Sequence, residues 1–339
     1  MNRLEKYILN NIFILFLSIF LALFTIASII FLIKLATWTA VIQLSFLEMA
    51  KMYVFIVPEL LFFVLPITFF VAATLTLFRL SNDNEMVVIF ALSISPKFLV
   101  KILSKVAFLL SFLLLFDYLF IFPHTRILAN NFYQFKKSEA QFNLSASEYG
   151  HKFGDWLLYL GKENKDGSYE NIFLFNKSKD EEILIAAHKA QMLNDDGILR
   201  LKLIKGEGNT YSKKKFSQIN FDEMYINDTM KTHQRKYTNF LEYWLSDEKK
   251  KLKRAMLITN TLIGIFPLLS IFLIVSLGVV HARHQKPRIY LYLFLSLALF
   301  FALTLGLQKV LVYYTIPLVI VFWLIGTYTL YRKTIVKRF

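Results

Sequence analysis

The chain has 339 residues, carries a formal net charge of +15 and contains no cysteine, and 56% of it is hydrophobic. Without cysteine there is neither a disulfide framework nor a thiolate metal site. The hydrophobic residues gather in stretches long enough to cross a bilayer, which points away from a soluble globular chain and gives the basic residues a role other than nucleic-acid binding.

In chain order, residues 11–33, 54–78 and 98–122 predict three spanning helices, because about 20 helical residues cross a hydrocarbon layer of about 30 Å. The first run is longer than the apolar region of a cleavable signal peptide and no small-residue cleavage site follows it, so it is expected to stay as a helix. A hydrophilic block over 123–255 separates these from three further spans at 256–280, 288–307 and 311–331. The expected divisions are therefore 1–122, 123–255 and 256–339.

Basic residues set the orientation. With the N-terminus inside, the inner loops and tails carry Arg3, Lys6, Arg79, Lys97, Lys101, Lys105, Arg283, Lys286, Arg288, Arg332, Lys333, Lys337 and Arg338. The short outer loops carry Lys34, Lys51 and Lys309. Positive charge collects on the cytoplasmic side of short loops, so both termini are expected there and the hydrophilic block outside.

Between the second and third spans a short helix is expected over about 82–95. Asn82 reads as its cap, with Glu85 three residues later returning the bond as a capping box. Ser95-Pro96 ends it and starts the next helix with proline at the first helical position, where its missing N–H costs nothing. The run from Met86 to Leu92 is apolar, so this helix needs either the headgroup layer or a partner protein to cover it.

The outer block predicts strands over 155–160, 171–176, 182–192, 198–205 and 216–226. Turn chemistry separates them at Lys165-Asp166-Gly167, at Asn194-Asp195-Asp196-Gly197 and at Gly206-Glu207-Gly208-Asn209. Leu199, Leu201 and Leu203 alternate with Arg200, Lys202 and Lys205, giving one apolar and one wet face, which suits an antiparallel sandwich or jelly roll. From Asn239 to Arg254 the spacing of Phe240, Tyr243, Trp244 and Leu252 predicts an amphipathic connector with an interfacial aromatic anchor.

No phosphate-binding loop, nucleophile elbow or zinc-protease motif occurs, so no catalytic residue, metal or cofactor is expected. His281 and His284 share their loop with Arg283 and Lys286 and with no carboxylate, which reads as a basic topology loop. Glu59 and Asp117 are the ionisable groups inside the spans, as structural interfacial carboxylates or as functional ones.

The most specific stretch is the second span with the loop after it: Leu65-Pro66, then Leu77 to Leu80, then Asn84-Glu85, then Ser93-Ile94-Ser95, with Ser93 where glycine is usual. It resembles the LptF/LptG (YjgP/YjgQ) permease family of the lipopolysaccharide export ABC transporter, and Val57-Pro58-Glu59 looks more like LptF. The resemblance implies an α-helical integral membrane protein of the bacterial inner membrane, with six spans in a 3+3 arrangement and an inserted periplasmic all-β jelly roll. It also implies a subunit that extracts lipopolysaccharide, with no catalysis of its own. An LptG-type permease, an LptB-type ATPase dimer and jelly-roll proteins of the LptC and LptA type would be its partners. Asn84, Glu85, Met86 and Ile89 would then face the ATPase from a coupling helix. Lys34, Lys309 and Arg126 would lie level with lipid phosphates, as phosphate partners or as snorkelling anchors. The alternative is a membrane-anchored periplasmic sensor or scaffold, which would not need an acidic-headed inner helix.

Overall fold

The computed structural model describes residues 3–39, 44–142, 151–153, 156–164, 168–177, 181–195, 198–212, 215–227, 243–244, 250–280 and 288–336. Six helices among them are long and apolar enough to cross a membrane, three before the inserted β domain and three after it. The chain divides into a helical unit (Met1–Ala36, Phe46–Ala129, Tyr237–Phe339) and a second unit (Thr37–Ser45, Asn130–Lys236) that holds the sheet.

Helices α1 (Arg3–Thr39) and α2 (Phe46–Asn82) are 37 residues each. At 1.5 Å per residue each is about 55 Å long. Each is longer than a hydrocarbon layer of about 30 Å is thick, which is why the apolar runs marked only their middles. After α3 (Glu85–Ala91), α4 (Lys97–Phe116) leads through a π-helical turn (Asp117–Ile121) directly into α5 (Phe122–Phe142). The third span therefore runs on past Pro123, where the hydrophilic block was expected to start.

The fourth span, expected as one helix, is broken into α6 (Lys250–Leu269) and α7 (Ile271–Gly278). Pro267 has no N–H to give to Ile263 and its ring crowds that carbonyl, which weakens the helix at this level. Hydrogen bonding then resumes from the Ser270 N–H to the Phe266 carbonyl at 3.0 Å and from Ile274 N–H to Ser270 at 2.8 Å. The Trp323 indole N–H donates to Ser270 Oγ at 3.3 Å and fixes the break from a neighbouring helix. The remaining spans are α8 (Ile289–Leu311) and α9 (Thr315–Tyr331). Lys309, expected between the last two spans, lies inside the last turn of α8.

Aromatic rings hold the centre of the helical unit together. Phe266 meets Phe300 at 4.5 Å and Phe70 at 5.4 Å between ring centres, and Phe300 meets Trp323 edge-on at 5.0 Å. Such pairs add about 0.5–1.5 kcal/mol each beyond area burial. Where α7 ends, a Cβ on Gly278 would stand 2.6 Å from Leu77 Cβ, so only glycine allows this approach to α2. Ser81 Oγ closes the contact by donating to the Gly278 carbonyl at 3.1 Å and accepting from Val280 N–H at 3.3 Å.

The β unit is antiparallel. Strands β1 (His151–Phe153), β2 (Trp156–Tyr159), β4 (Ser168–Lys177), β5 (Glu181–Asp195), β6 (Ile198–Ser212) and β7 (Lys215–Asn227) lie side by side in that order, and β3 (Lys162–Glu163) also pairs with β4. The five predicted strands all occur. The predicted turn at Gly206 to Asn209 does not: β6 runs straight through it to Ser212. The other two predicted turns fall wholly or partly outside the described residues.

A crease crosses the sheet at Gly206. Asn171, His188, Lys205 and Asp222 occupy one row across four strands, and the pairing is interrupted there while the register on either side stays unchanged. Asn171 and Lys205 have φ of 54° and 50°. Inward residues slip phase at the same row: Tyr169 and Ile172, and likewise Ala187 and Ala190, are buried three apart rather than two. Each strand thus carries one residue that takes no part in the alternation, so the sheet bends while the same face stays apolar. Gly206 is required because a Cβ there would lie 2.3 Å from the Ala186 carbonyl and 2.6 Å from Phe221.

Candidate functional site

The loop between α2 and α4 carries the residues that the family resemblance implicates. Asn82 is the last residue of α2 and not the cap of α3. The cap is Asn84, in the left-handed conformation at φ 61° with no side-chain capping bond. This corrects the capping-box expectation: the chain reverses through a left-handed residue, which asparagine tolerates better than most. At the other end Ser93 has φ 60°, so a serine occupies a conformation that glycine would adopt without strain. Ser95 serves the next helix, its Oγ accepting from Lys97 N–H at 3.3 Å and its carbonyl from Phe98 N–H at 2.9 Å, while Pro96 is the N-cap of α4 and Lys97 takes the first helical position expected for the proline.

Within α3, Met86 (2% exposed) and Ile89 (6% exposed) sink into the core that Ile8, Leu80, Leu99 and Ile102 share. They anchor the helix. The apolar face it leaves uncovered is made by Val87, Val88 and, just beyond its end, Leu92. Glu85 opens the helix with its carboxylate turned toward α1, where Tyr7 Oη donates to Oε2 at 2.7 Å. Two residues before Tyr7 on α1, Glu5 takes a hydrogen-bonded ion pair from Lys105 of α4 at 2.9 Å. Spacing along the sequence could not have found Tyr7 or Glu5, because their partners lie 78 and 100 residues away.

A second group of side chains surrounds the π-helical turn. Pro123 cannot donate to the carbonyl of Leu119, four residues before it. The Trp244 indole N–H supplies that bond at 3.2 Å. Tyr118 is fully buried against Phe62, Trp244 and Phe122, with ring centres 5.2–5.4 Å away. The amphipathic connector expected over Asn239–Arg254 lies largely outside the described residues; of its aromatic residues, Trp244 has this definite partner. Asp117 opens the turn with Oδ2 buried and without a hydrogen-bond partner among the described residues. Glu59 is half-buried within α2.

The three cations considered for lipid phosphate stand on three different helices. Lys34 is exposed near the C-terminal end of α1 and Lys309 is exposed in the last turn of α8. Arg126 lies in α5 with its guanidinium 5.2 Å from the Phe122 ring centre and Nη1 3.8 Å from Met256 Sδ. Among the described residues no group of histidines and carboxylates could hold a metal ion.

The family model for the lipopolysaccharide export system permease LptF/LptG matches residues 6–330. The chain belongs to the LptF/LptG family. It is accordingly a multi-pass membrane permease of lipopolysaccharide export, a transporter component rather than an enzyme. A search of curated proteins finds no match. Within the LptF/LptG match fall the whole α2–α4 loop, the sheet and Trp244.

Proposed function

We propose that this chain is the LptF-type subunit of an ABC transporter, paired with an LptG-type permease and driven by a dimer of LptB-type ATPases on its cytoplasmic side. Both termini lie in the cytoplasm and the β domain lies in the periplasm. Lipopolysaccharide enters a cavity between the paired permeases from the outer leaflet of the inner membrane. ATP hydrolysis closes that cavity and moves the lipid to the β domain, a jelly roll that hands it to proteins of the LptC and LptA type. Lys34 and Lys309 are the candidate phosphate contacts at the cavity mouth. Arg126 fits better as an anchor, given its neighbours Phe122 and Met256.

The observation that carries this reading is α3. A seven-residue helix held down by Met86 and Ile89 still exposes Val87, Val88 and Leu92 beside the Glu85 carboxylate. An apolar patch with one acidic head suits a groove with a basic rim, and short helices dock in such grooves through their uncovered face. Glu85→Lys places like charges face to face at that rim, at a cost on the order of a few kcal/mol. ATPase copurifying with the solubilised variant should fall well below the parental amount while the variant still inserts. Full ATPase recovery and full stimulation of hydrolysis would overturn the reading.

A further inference from the structure

Between its ends α1 is barely held: its buried residues are Glu5, Ile8 and Ile12 near the start and Phe31 and Leu35 near the finish, with none from Phe13 to Ile30. Phe16, Phe20 and Phe24 stack on one another along the helix, at 6.0 and 5.4 Å between successive ring centres. At the far end Ser28 Oγ and Tyr53 Oη share a hydrogen bond of 2.8 Å, and at the near end the ties are Glu5 to Lys105 and Tyr7 to Glu85. A helix fixed at two ends and lightly packed between them moves as a lever if one end is pulled.

Those two near-end ties differ in what they hold. Glu5 to Lys105 joins α1 to a spanning helix that is itself packed in the core, and so only pins its height. Tyr7 to Glu85 joins α1 to the short helix whose outer face is free. Only the second can transmit a displacement of α3 to α1, because only there is the partner element small and exposed. The bond also fixes one carboxylate oxygen, leaving the other to meet a cation from outside.

We infer that Tyr7 is a positioning residue: its hydroxyl presents the Glu85 carboxylate to the ATPase and latches α3 to α1, so that movement of α3 during ATP turnover is passed to the lipid-facing length of α1. This rests on Glu85 meeting the ATPase.

The test uses the intact transporter complex reconstituted in vesicles, with three variants of this subunit. Tyr7→Phe removes one oxygen and keeps the ring, so the ATPase should still bind through Val87, Val88 and Leu92, more weakly than in the parent because Glu85 is no longer held in place. Lipid moved per ATP hydrolysed should drop severalfold. Tyr7→Lys, a donor of similar reach, should recover most of that ratio, which a merely structural role of the ring would not allow. In a Glu85→Gln background Tyr7→Phe should add little, since both changes break one link. Because the chain has no cysteine of its own, a single Ser18→Cys in mid-α1 reports the movement directly. Its alkylation rate should change with ATP in the parent and lose that change in Tyr7→Phe. If Tyr7→Phe transports and alkylates like the parent while Glu85→Lys loses ATPase, the latch is overturned and the docking reading stands. If Glu85→Lys binds and transports normally, both are overturned.

Discussion

Pro123 withdraws one backbone donor from the third span, and a single indole 121 positions later in the chain restores the balance at the Leu119 carbonyl. A buried acceptor left without a partner costs about 1–3 kcal/mol. Trp244→Phe keeps an aromatic ring against Tyr118 and loses only the N–H, so thermal unfolding of the purified protein should show a destabilisation of that order. Pro123→Ala gives Leu119 an ordinary helical donor. In that background Trp244→Phe should cost no more than lost packing, and equal costs in both backgrounds would refute the pairing. The sequence made Trp244 legible as an interfacial aromatic but not as a donor, because its acceptor exists only once the helix has folded. Asn82 failed as a cap for a related reason. Its spacing to Glu85 fits a capping box, but α2 stays helical through it and the carboxylate is taken by Tyr7 from another helix.

At the scale of elements, the spans were legible because twenty apolar residues leave the backbone few alternatives to a helix. Their ends were not, since the polar turns that carry α1 and α2 beyond the hydrocarbon have no hydropathy signature. The sheet repeats the pattern. Its strands could be read from alternation, whereas the crease could not, because Gly206-Glu207-Gly208-Asn209 has the composition of a hairpin turn and serves as a bend inside β6. Two glycines in that run have different duties. A Cβ on Gly206 would press on the backbone carbonyl of Ala186, which no rotamer change relieves, whereas the nearest atom to a Cβ on Gly208 is 3.8 Å away. Gly206→Ala should therefore cost about 1–3 kcal/mol through overpacking, seen as faster amide exchange along β5 and β6 in the full chain. Gly208→Ala should exchange like the parent. Equal protection in the two variants would mean the sheet has no crease at that row.

For the whole molecule, three spans, a β insert and three spans could be read directly from the hydropathy pattern, and membership of the LptF/LptG family extends across all of them. The side-chain contacts that join these parts were not readable, because residues such as Tyr7 and Glu85 or Trp244 and Leu119 meet only after distant segments pack. The sheet order leaves β7 paired with β6 alone among the described residues, and β7 exposes Phe216, Ile219 and Tyr225. An edge of 13 residues with apolar side chains is a template for strand addition by another chain. Ile172, in contrast, is fully buried on the apolar face of β4. If the β domain is a lipid conduit that extends edge to edge into the next protein, photo-crosslinkers at these two positions should behave differently. The Ile172 position should capture lipopolysaccharide only while ATP is being turned over. The Ile219 position should capture a periplasmic β protein with or without turnover, because edge pairing is an equilibrium contact and not a step of the cycle. Lipid capture at Ile219 and none at Ile172 would put the lipid outside the sheet. A complex that transports without capture at either position would take this domain off the lipid path and leave the partner permease to carry it.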